Sequence, residues 1–278
     1  MVPVPSLTLN NGVAMPQLGL GTARVGDEEI RRTVAAALDI GYRLIDTAAK
    51  YENEVGVGRG IADAGLPREE LFVTTKLRGA EQGFESAKQA LDASLRRLAL
   101  DYVDLYLIHW PLPRLDRYVE SWRALEDLLA RGRARAIGVS NFLTAHLDRL
   151  AAESATVPAV NQIELHPRLP QVEQRADDAE RGIVTQSWAP LAMAGDLLDE
   201  PVLARIAARH GRSPAQVVLR WHVQQGLAAV PKSSHADRLQ ANLDVFDFQL
   251  DPADMTGIAG LETGTRVGGQ DPVTHEEY

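Results

Sequence analysis

At 278 residues the chain has the length of one large α/β domain, and its 45% hydrophobic and 24% charged residues indicate a globular protein rather than a disordered one. With 38 acidic against 29 basic residues the formal charge is −9, which works against a nucleic-acid or anionic-membrane surface; the lack of cysteine removes disulfides, thiolate metal ligands and cysteine nucleophiles together. No apolar stretch approaches the ~20 residues a bilayer needs, and MVPVPSLTLNNG lacks the charged and apolar regions of a secretory signal, so cytoplasmic residence is expected.

In chain order, SLTLNNGVAM places Asn11-Gly12 between two alternating runs, a strong short-range signal for a tight hairpin over about residues 6 to 15. Such a hairpin would suit the bottom of a barrel as a plug. Short β-branched runs then alternate with longer helical patterns, the order of βα units and a parallel sheet. The runs are QLGLGT (17–22), RLIDTA (43–48), LFVTTKL (71–77), VDLYLIHW (103–110), ARAIGVSN (134–141), AVNQIEL (159–165), GIVTQSWAP (182–190) and LAAVPKS (227–233). A helix candidate follows each, such as EEIRRTVAAALDIG after the first. After the seventh, PVLARIAARHGRSPAQVVLRWHVQQG reads as two helices parted by Gly211 and the Ser213-Pro214 start signal. DPADMTGIAGL adds a further helix before a polar tail from about 262 to 278. Without a repeat, low-complexity tract or linker, one domain over 1–278 is expected: an α/β protein of the (β/α)8 TIM-barrel class with extra C-terminal helices.

A doubly wound sheet is the rival, but it calls for a glycine-rich turn after its first strand, and GLGTAR lacks the third glycine of G-x-G-x-x-G. GVGRG at 56–60 misses the spacing too, since Ile61 stands where the last glycine belongs. These glycines read instead as a surface for close helix packing.

In a barrel the active site lies at the C-terminal ends of the strands, so polar residues there form a set. Asp46 ends the second strand with Tyr51 in its loop, Lys76 ends the third, His109 the fourth, and Ser140 and Asn141 the fifth. Gln162 lies in the sixth, Trp188 ends the seventh, and Lys232 and Ser233 end the eighth. Taken singly they have plainer readings: a turn-forming Asp, a packing Tyr, a satisfied core His. Lys76 inside TTKL resists one, because a strand interior rarely buries an ammonium without a partner, and Asp46 is the obvious partner. Glu54 is read as a first-turn acid at a helix N-terminus.

The strings GLGT, RLIDTA with YENE, TTKL, LIHWP, IGVSNF, NQIELHP, SWAPL and VPKS with Arg238 and Asn242 resemble, in that order, the aldo-keto reductase superfamily from residue 16 to the end of the eighth helix. The SWAPL form and the short tail look most like the bacterial branch that includes 2,5-diketo-D-gluconate reductases. The resemblance implies a catalytic tetrad of Asp46, Tyr51, Lys76 and His109, and physical chemistry supports these roles. Tyr51 would donate a proton to a developing alkoxide, but an unperturbed phenol, with a pKa about 10, is poorly matched to neutral pH. A positive Lys76 at ~4 Å would favour the phenolate by about 4 kcal/mol at an effective dielectric of 20, with Asp46 returning part of that. His109 would orient the substrate and stabilise developing charge.

The resemblance further implies NADPH as cofactor. It puts Trp188 under the nicotinamide, Ser140, Asn141 and Gln162 on its carboxamide, and Lys232, Ser233, Ser234, Arg238 and Asn242 at the 2′-phosphate and adenine. Gly21, Thr22, Asp46, Leu191 and Val230 complete that site, and Ala23, Tyr51, His109 and Trp110 line the substrate pocket. Two positions depart from the pattern: Ala23 stands where many relatives carry an aromatic, and Ala241 where they often have Glu. The expected protein is a monomeric NADPH-dependent reductase of aldehydes or ketones, diketo sugars and 2-oxoaldehydes included, with no metal, nucleic-acid or membrane partner. Alternatives are a nucleotide-sensing regulatory subunit on the same fold and a Schiff-base lyase using Lys76.

Overall fold

The Asn-Gly turn does what its composition calls for. In the computed structural model, which describes residues 4–277, Gly12 takes the left-handed conformation (φ 85°) and returns β1 (Ser6–Thr8) against β2 (Ala14–Pro16), with Leu7 opposite Met15. The side-chain amides of Asn10 and Asn11 donate to the backbone carbonyls of Pro158 (3.0 Å) and Arg135 (2.9 Å). Leu9 and Met15 are thereby pressed into the bottom of an apolar interior shared with Leu44, Phe72, Leu105, Leu107 and Val160. The hairpin is a plug, as its sequence suggested.

Eight parallel strands surround that interior in chain order: β3 (Leu20–Gly21), β4 (Leu44–Asp46), β5 (Phe72–Leu77), β6 (Val103–Ile108), β7 (Ala134–Ser140), β8 (Val160–Glu164), β9 (Val184–Trp188) and β10 (Ala228–Ala229). A parallel bridge from Leu18 to Ala229, with Gly21 N–H donating to the Pro231 carbonyl at 3.0 Å, closes the ring between the last strand and the first. Strand alternation sorts the core: Leu105 and Leu107 of β6 point into the barrel, while Tyr106 and Ile108 pack outward against the helices. Each expected strand falls within its predicted run, and the fold is the (β/α)8 barrel.

The outer layer comprises α1 (Asp27–Ile40), α2 (Glu54–Ala64), α3 (Phe84–Leu98), α4 (Tyr118–Ala130), α5 (Thr144–Glu153), α6 (Val172–Glu180), α7 (Pro201–His210), α8 (Pro214–Gln224) and α9 (Ala236–Leu243), followed by α10 (Pro252–Ala259). Gly211 (φ 63°) ends α7, and Ser213 and Gln216 cap α8 reciprocally, Ser213 Oγ accepting from Gln216 N–H and Gln216 Oε1 from Ser213 N–H. The GVGRG cluster lets α2 lie directly on α1, since a Cβ at Gly56 would collide with the Asp27 carbonyl. No helix of the described residues is long and apolar enough to cross a membrane.

Candidate active site

Strand register brings the acid, the lysine and the histidine to one end of the barrel. Asp46 is the last residue of β4, Lys76 the penultimate residue of β5, and His109 follows β6 directly, its backbone N–H donating to the Leu77 carbonyl at 3.2 Å. Lys76 is fully buried, and its ammonium donates to Asp46 Oδ1 at 2.6 Å, to the Thr47 carbonyl at 3.0 Å and to the Tyr51 hydroxyl at 3.5 Å. Tyr51 closes a single 3-10 turn after β4, and Glu52 in the left-handed region (φ 57°) swings the chain on into α2. That loop returns the phenol over the barrel mouth, edge-on to His109 with ring centres 5.9 Å apart.

Burial pushes the Lys76 ammonium down, but the charge of Asp46 and the hydrogen bonds to Asp46 and Tyr51 outweigh it and hold the group above its ordinary range. For Tyr51 the balance corrects the expectation. Burial pushes the phenol up, Lys76 pulls it down and Asp46 pushes it up again, leaving it above its ordinary value. Part of the residue still meets solvent, so the upward push is weaker than full enclosure would impose. Lys76 moderates the tyrosine without making it a strong acid.

The other half of the rim is joined to this one by hydrogen bonds. Gln162 Nε2 donates to Asp46 Oδ2 (2.7 Å) and to Gln186 Oε1 (2.6 Å), directly across the β8–β9 register. Ser140 Oγ donates to the Gln162 carbonyl (2.7 Å), and Asn141 Nδ2 to the His109 carbonyl (3.0 Å) and Ser140 Oγ (3.1 Å). Trp188 Nε1–H donates to Asn141 Oδ1 at 2.8 Å, fixing an indole that remains partly exposed. The amide donors of Asn141 and Gln162 are thus spent within the protein; what Ser140, Asn141 and Gln162 retain is acceptor capacity, the kind a primary carboxamide N–H satisfies. The residues fit a nicotinamide amide on that ground.

Thr22 donates through N–H and Oγ1 to the Asp46 carbonyl (3.1 and 3.0 Å), and Gly21 lies opposite Asp46 in register. Val230 N–H donates to the Ser187 carbonyl (3.1 Å), Leu191 is half-buried after β9, and Ala23 is half-buried after β3. Ser233 Oγ accepts from His235 N–H (3.2 Å) and shapes the turn into α9, with half-buried Ser234 in that turn and Asn242 buried in the last turn of the helix. Lys232 and Arg238 flank the start of α9, both exposed, and the structure gives neither an ion pair among the described residues. Two unspent cations beside a helix N-terminus, on a protein of charge −9, fit a phosphate.

Glu54 is more than the first-turn acid expected. It does begin α2, but it is buried, accepting from Thr75 Oγ1 at 2.6 Å and from Arg97 Nε at 2.7 Å. Sequence reasoning also passed over three residues. Buried Asn53 donates to the carbonyls of Thr22 (2.8 Å) and Val25 (2.9 Å), tying the first βα loop to the second. Gln186 carried a usable signal, a polar residue at inward parity within a strand. Glu277 carried none, yet its carboxylate reaches His109, Oε1 lying 2.7 Å from the ring Nδ1. A separate cavity of about 290 Å³ sits at the opposite end of the barrel by the hairpin, lined by Asn10, Asn11, Thr156 and Arg181. Its one charged group is already paired with Asp148 and Asp177, so it offers no comparable chemistry.

A barrel whose rim gathers a paired lysine, a tyrosine and a histidine around one point is equipped to move a proton at an oxygen. The model of the aldo/keto reductase family matches residues 17–263, and the chain belongs to that family, which makes it an oxidoreductase. It is 52% identical over 270 residues to an aldo-keto reductase of Mycolicibacterium smegmatis, covering 97% of this chain and 98% of that one. It is 50% identical over 276 residues to the morphine 6-dehydrogenase of Pseudomonas putida, covering 95% and 93%. Among solved structures, a mutant of Gox0644 in complex with NADPH superposes with a TM-score of 0.94 at 43% identity, covering 99% of this chain and all of that one.

Proposed function

We propose that the chain is an NADPH-dependent carbonyl reductase acting on aldehydes and ketones, with Tyr51 as proton donor and Asp46, Lys76 and His109 completing the catalytic set. The observation that carries this reading is the buried Lys76 ammonium, which contacts Asp46 and the Tyr51 hydroxyl at once beside His109. NADPH is supported by the bound cofactor of the Gox0644 structure and by Lys232 and Arg238, which have no ion pair among the described residues. When bound, the cofactor supplies hydride to the carbonyl carbon. Tyr51 gives its proton to the carbonyl oxygen; the phenolate left behind is met by Lys76 and regains a proton from water at the open side of the residue. His109 holds the oxygen and stabilises the charge that develops on it. Ser140, Asn141 and Gln162 would hold the carboxamide, Trp188 would stack on the ring, and Gly21, Thr22, Leu191, Val230, Ser233, Ser234 and Asn242 would line the remainder. Ala23 and Trp110 would border the substrate.

Asp46 keeps Lys76 protonated, which disfavours the Schiff-base reading. The set lies wholly within one chain, which supports a monomer as the working unit. A relative named as a dehydrogenase carries the name of the reverse reaction, so the panel that tests the proposal should pair aldehydes, ketones, 2-oxoaldehydes and diketo sugars with NADPH, and alcohols with NADP+. Absorbance of NADPH reports both directions. Tyr51→Phe should lose at least about 10²-fold in turnover, as expected for a lost general acid, with cofactor affinity nearly intact. Near-normal turnover in that variant would overturn the mechanism.

A further inference from the structure

The tail after α10 folds back onto the barrel mouth and touches the tetrad. His275 packs on Trp110 with ring centres 4.1 Å apart, Glu276 pairs with Arg114 at 3.3 Å, and Glu277 is buried between the loops that follow β5 and β6. One carboxylate oxygen of Glu277 accepts from Gly79 N–H at 2.7 Å, and the other lies 2.7 Å from His109 Nδ1. That second contact is within ion-pair distance for a protonated ring but is not a hydrogen bond, and the buried Nδ1 makes none among the described residues. Gly79 leaves room for the tail: a Cβ there would stand 2.6 Å from the Glu277 carbonyl oxygen and from the flexible end of Leu112, and 3.2 Å from the Glu277 Cβ.

We propose that Glu277 is a positioning residue for His109, holding the ring's orientation from the Nδ1 side so that Nε2 is the nitrogen offered to the substrate. The proposal rests on the reductase reading for its consequence in turnover, though not for the contact itself. A carboxylate held at one imidazole nitrogen fixes the orientation of the ring and leaves the other nitrogen for the substrate. Burial pushes the Glu277 carboxyl up, but the His109 ring, the Gly79 N–H and the Lys50 charge hold it below its ordinary value, which keeps it an acceptor at neutral pH. The other ionisable groups around this pair are Tyr51 and Lys50 on the β4 loop, and His275 and Glu276 on the tail.

The test uses the full chain in two measurements. Long-range proton–nitrogen correlation spectra of the histidine rings, recorded without cofactor, should show the His109 Nδ1 resonance displaced in Glu277→Ala, with those of buried His166 and His222 unmoved. In steady-state reduction, Glu277→Ala should raise the substrate KM and lower kcat about tenfold or more, as losing the group that orients a working histidine does. Gly79→Ala, which evicts the tail without altering Glu277, should reproduce both changes. Glu277→Gln, which keeps an acceptor for Gly79 but not the charge, should restore the substrate KM and not kcat. An unmoved Nδ1 resonance, with only KM changed, would reduce the tail to a pocket wall; a higher kcat in Glu277→Ala would make it a blocking lid, and either overturns the proposal. A wild type that reduces no carbonyl while its His109 Nδ1 resonance still depends on Glu277 would sink the reductase reading and leave this contact standing.

Discussion

Replacing Lys76 by Met removes the charge at the centre of the site and tests the buried pair directly. The ammonium and the Asp46 carboxylate lie 2.6 Å apart with side chains 0% and 4% exposed, so water screens neither. Breaking such a pair from one side costs about 3–5 kcal/mol, because the remaining charge stays buried without compensation. In Lys76→Met, Asp46 keeps Gln162 as a donor at 2.7 Å, which places the loss near the lower end, about 3 kcal/mol. In Asp46→Ala the ammonium keeps the Thr47 carbonyl at 3.0 Å and the Tyr51 hydroxyl at 3.5 Å, neither charged, which places the loss near the upper end, about 5 kcal/mol. The double variant should cost less than the two added, with a coupling of about 2 kcal/mol or more. Since the folded-state pKa of Lys76 is raised above 10.5, the lysine's contribution is complete at neutral pH and is lost as pH rises through the folded value. Urea unfolding at pH 7, compared at equal slope, measures all four proteins. Additive losses, or a Lys76→Met chain as stable as wild type, would refute the pair as drawn.

The remaining predictions concern the cofactor. If Lys232 and Arg238 both reach a 2′-phosphate, each contact is worth roughly 1.5–3 kcal/mol, and NADPH should be favoured over NADH by about 10²-fold or more. Arg238→Ala should then weaken NADPH far more than NADH in a titration of both, while equal losses would make Arg238 structural. NADPH binding should quench part of the tryptophan emission through the half-exposed Trp188, and Trp188→Ala should remove much of that change, since Trp110, Trp122 and Trp221 are buried. A full quench surviving in the variant would assign the stacking surface elsewhere.

What the sequence made legible is what periodicity and strand ends encode. The strands, the hairpin, the split between α7 and α8, and α10 all follow from local patterns, and the polar residues ending β4, β5 and β6 do converge. Strand lengths were less legible. QLGLGT and LAAVPKS each reduce to two ladder residues, because the seam that closes the barrel runs through Gly19 and Gly21, and a Cβ at Gly21 would stand 2.7 Å from the Val230 carbonyl oxygen. Charge balance was illegible for another reason. The direction of the Tyr51 shift depends on how much water the folded loop excludes, and no spacing of residues records that. Glu277 lies about 170 residues beyond His109 in a tail without periodicity, so their meeting depends on tertiary structure alone.

The clustering of Asp46, Tyr51 and Glu54 within nine positions has a mechanical basis that neither the chemistry nor the capping of α2 supplies alone. Successive side chains on a strand face opposite sides, so β5 sends Lys76 into the barrel toward Tyr51 and Thr75 outward toward the helices. Thr75 meets Glu54, which Arg97 of α3 holds from the other side. Asn53 ties the same corner to Thr22 and Val25, and Thr22 in turn donates to the carbonyl of Asp46. The loop carrying Tyr51 is therefore anchored at Asp46 before it and at Asn53 and Glu54 after it, through buried polar contacts that do not themselves touch the phenol. A hydroxyl that must stand within hydrogen-bond reach of a buried ammonium needs a loop with little freedom, since a displacement of about 1 Å at such a site can cost 10²-fold in rate. The pair of buried Glu54 and part-exposed Arg97 is thus best understood as restraint on the tyrosine: its charges lie on the outer side of β5, where they fix the position of the proposed proton donor without entering the site.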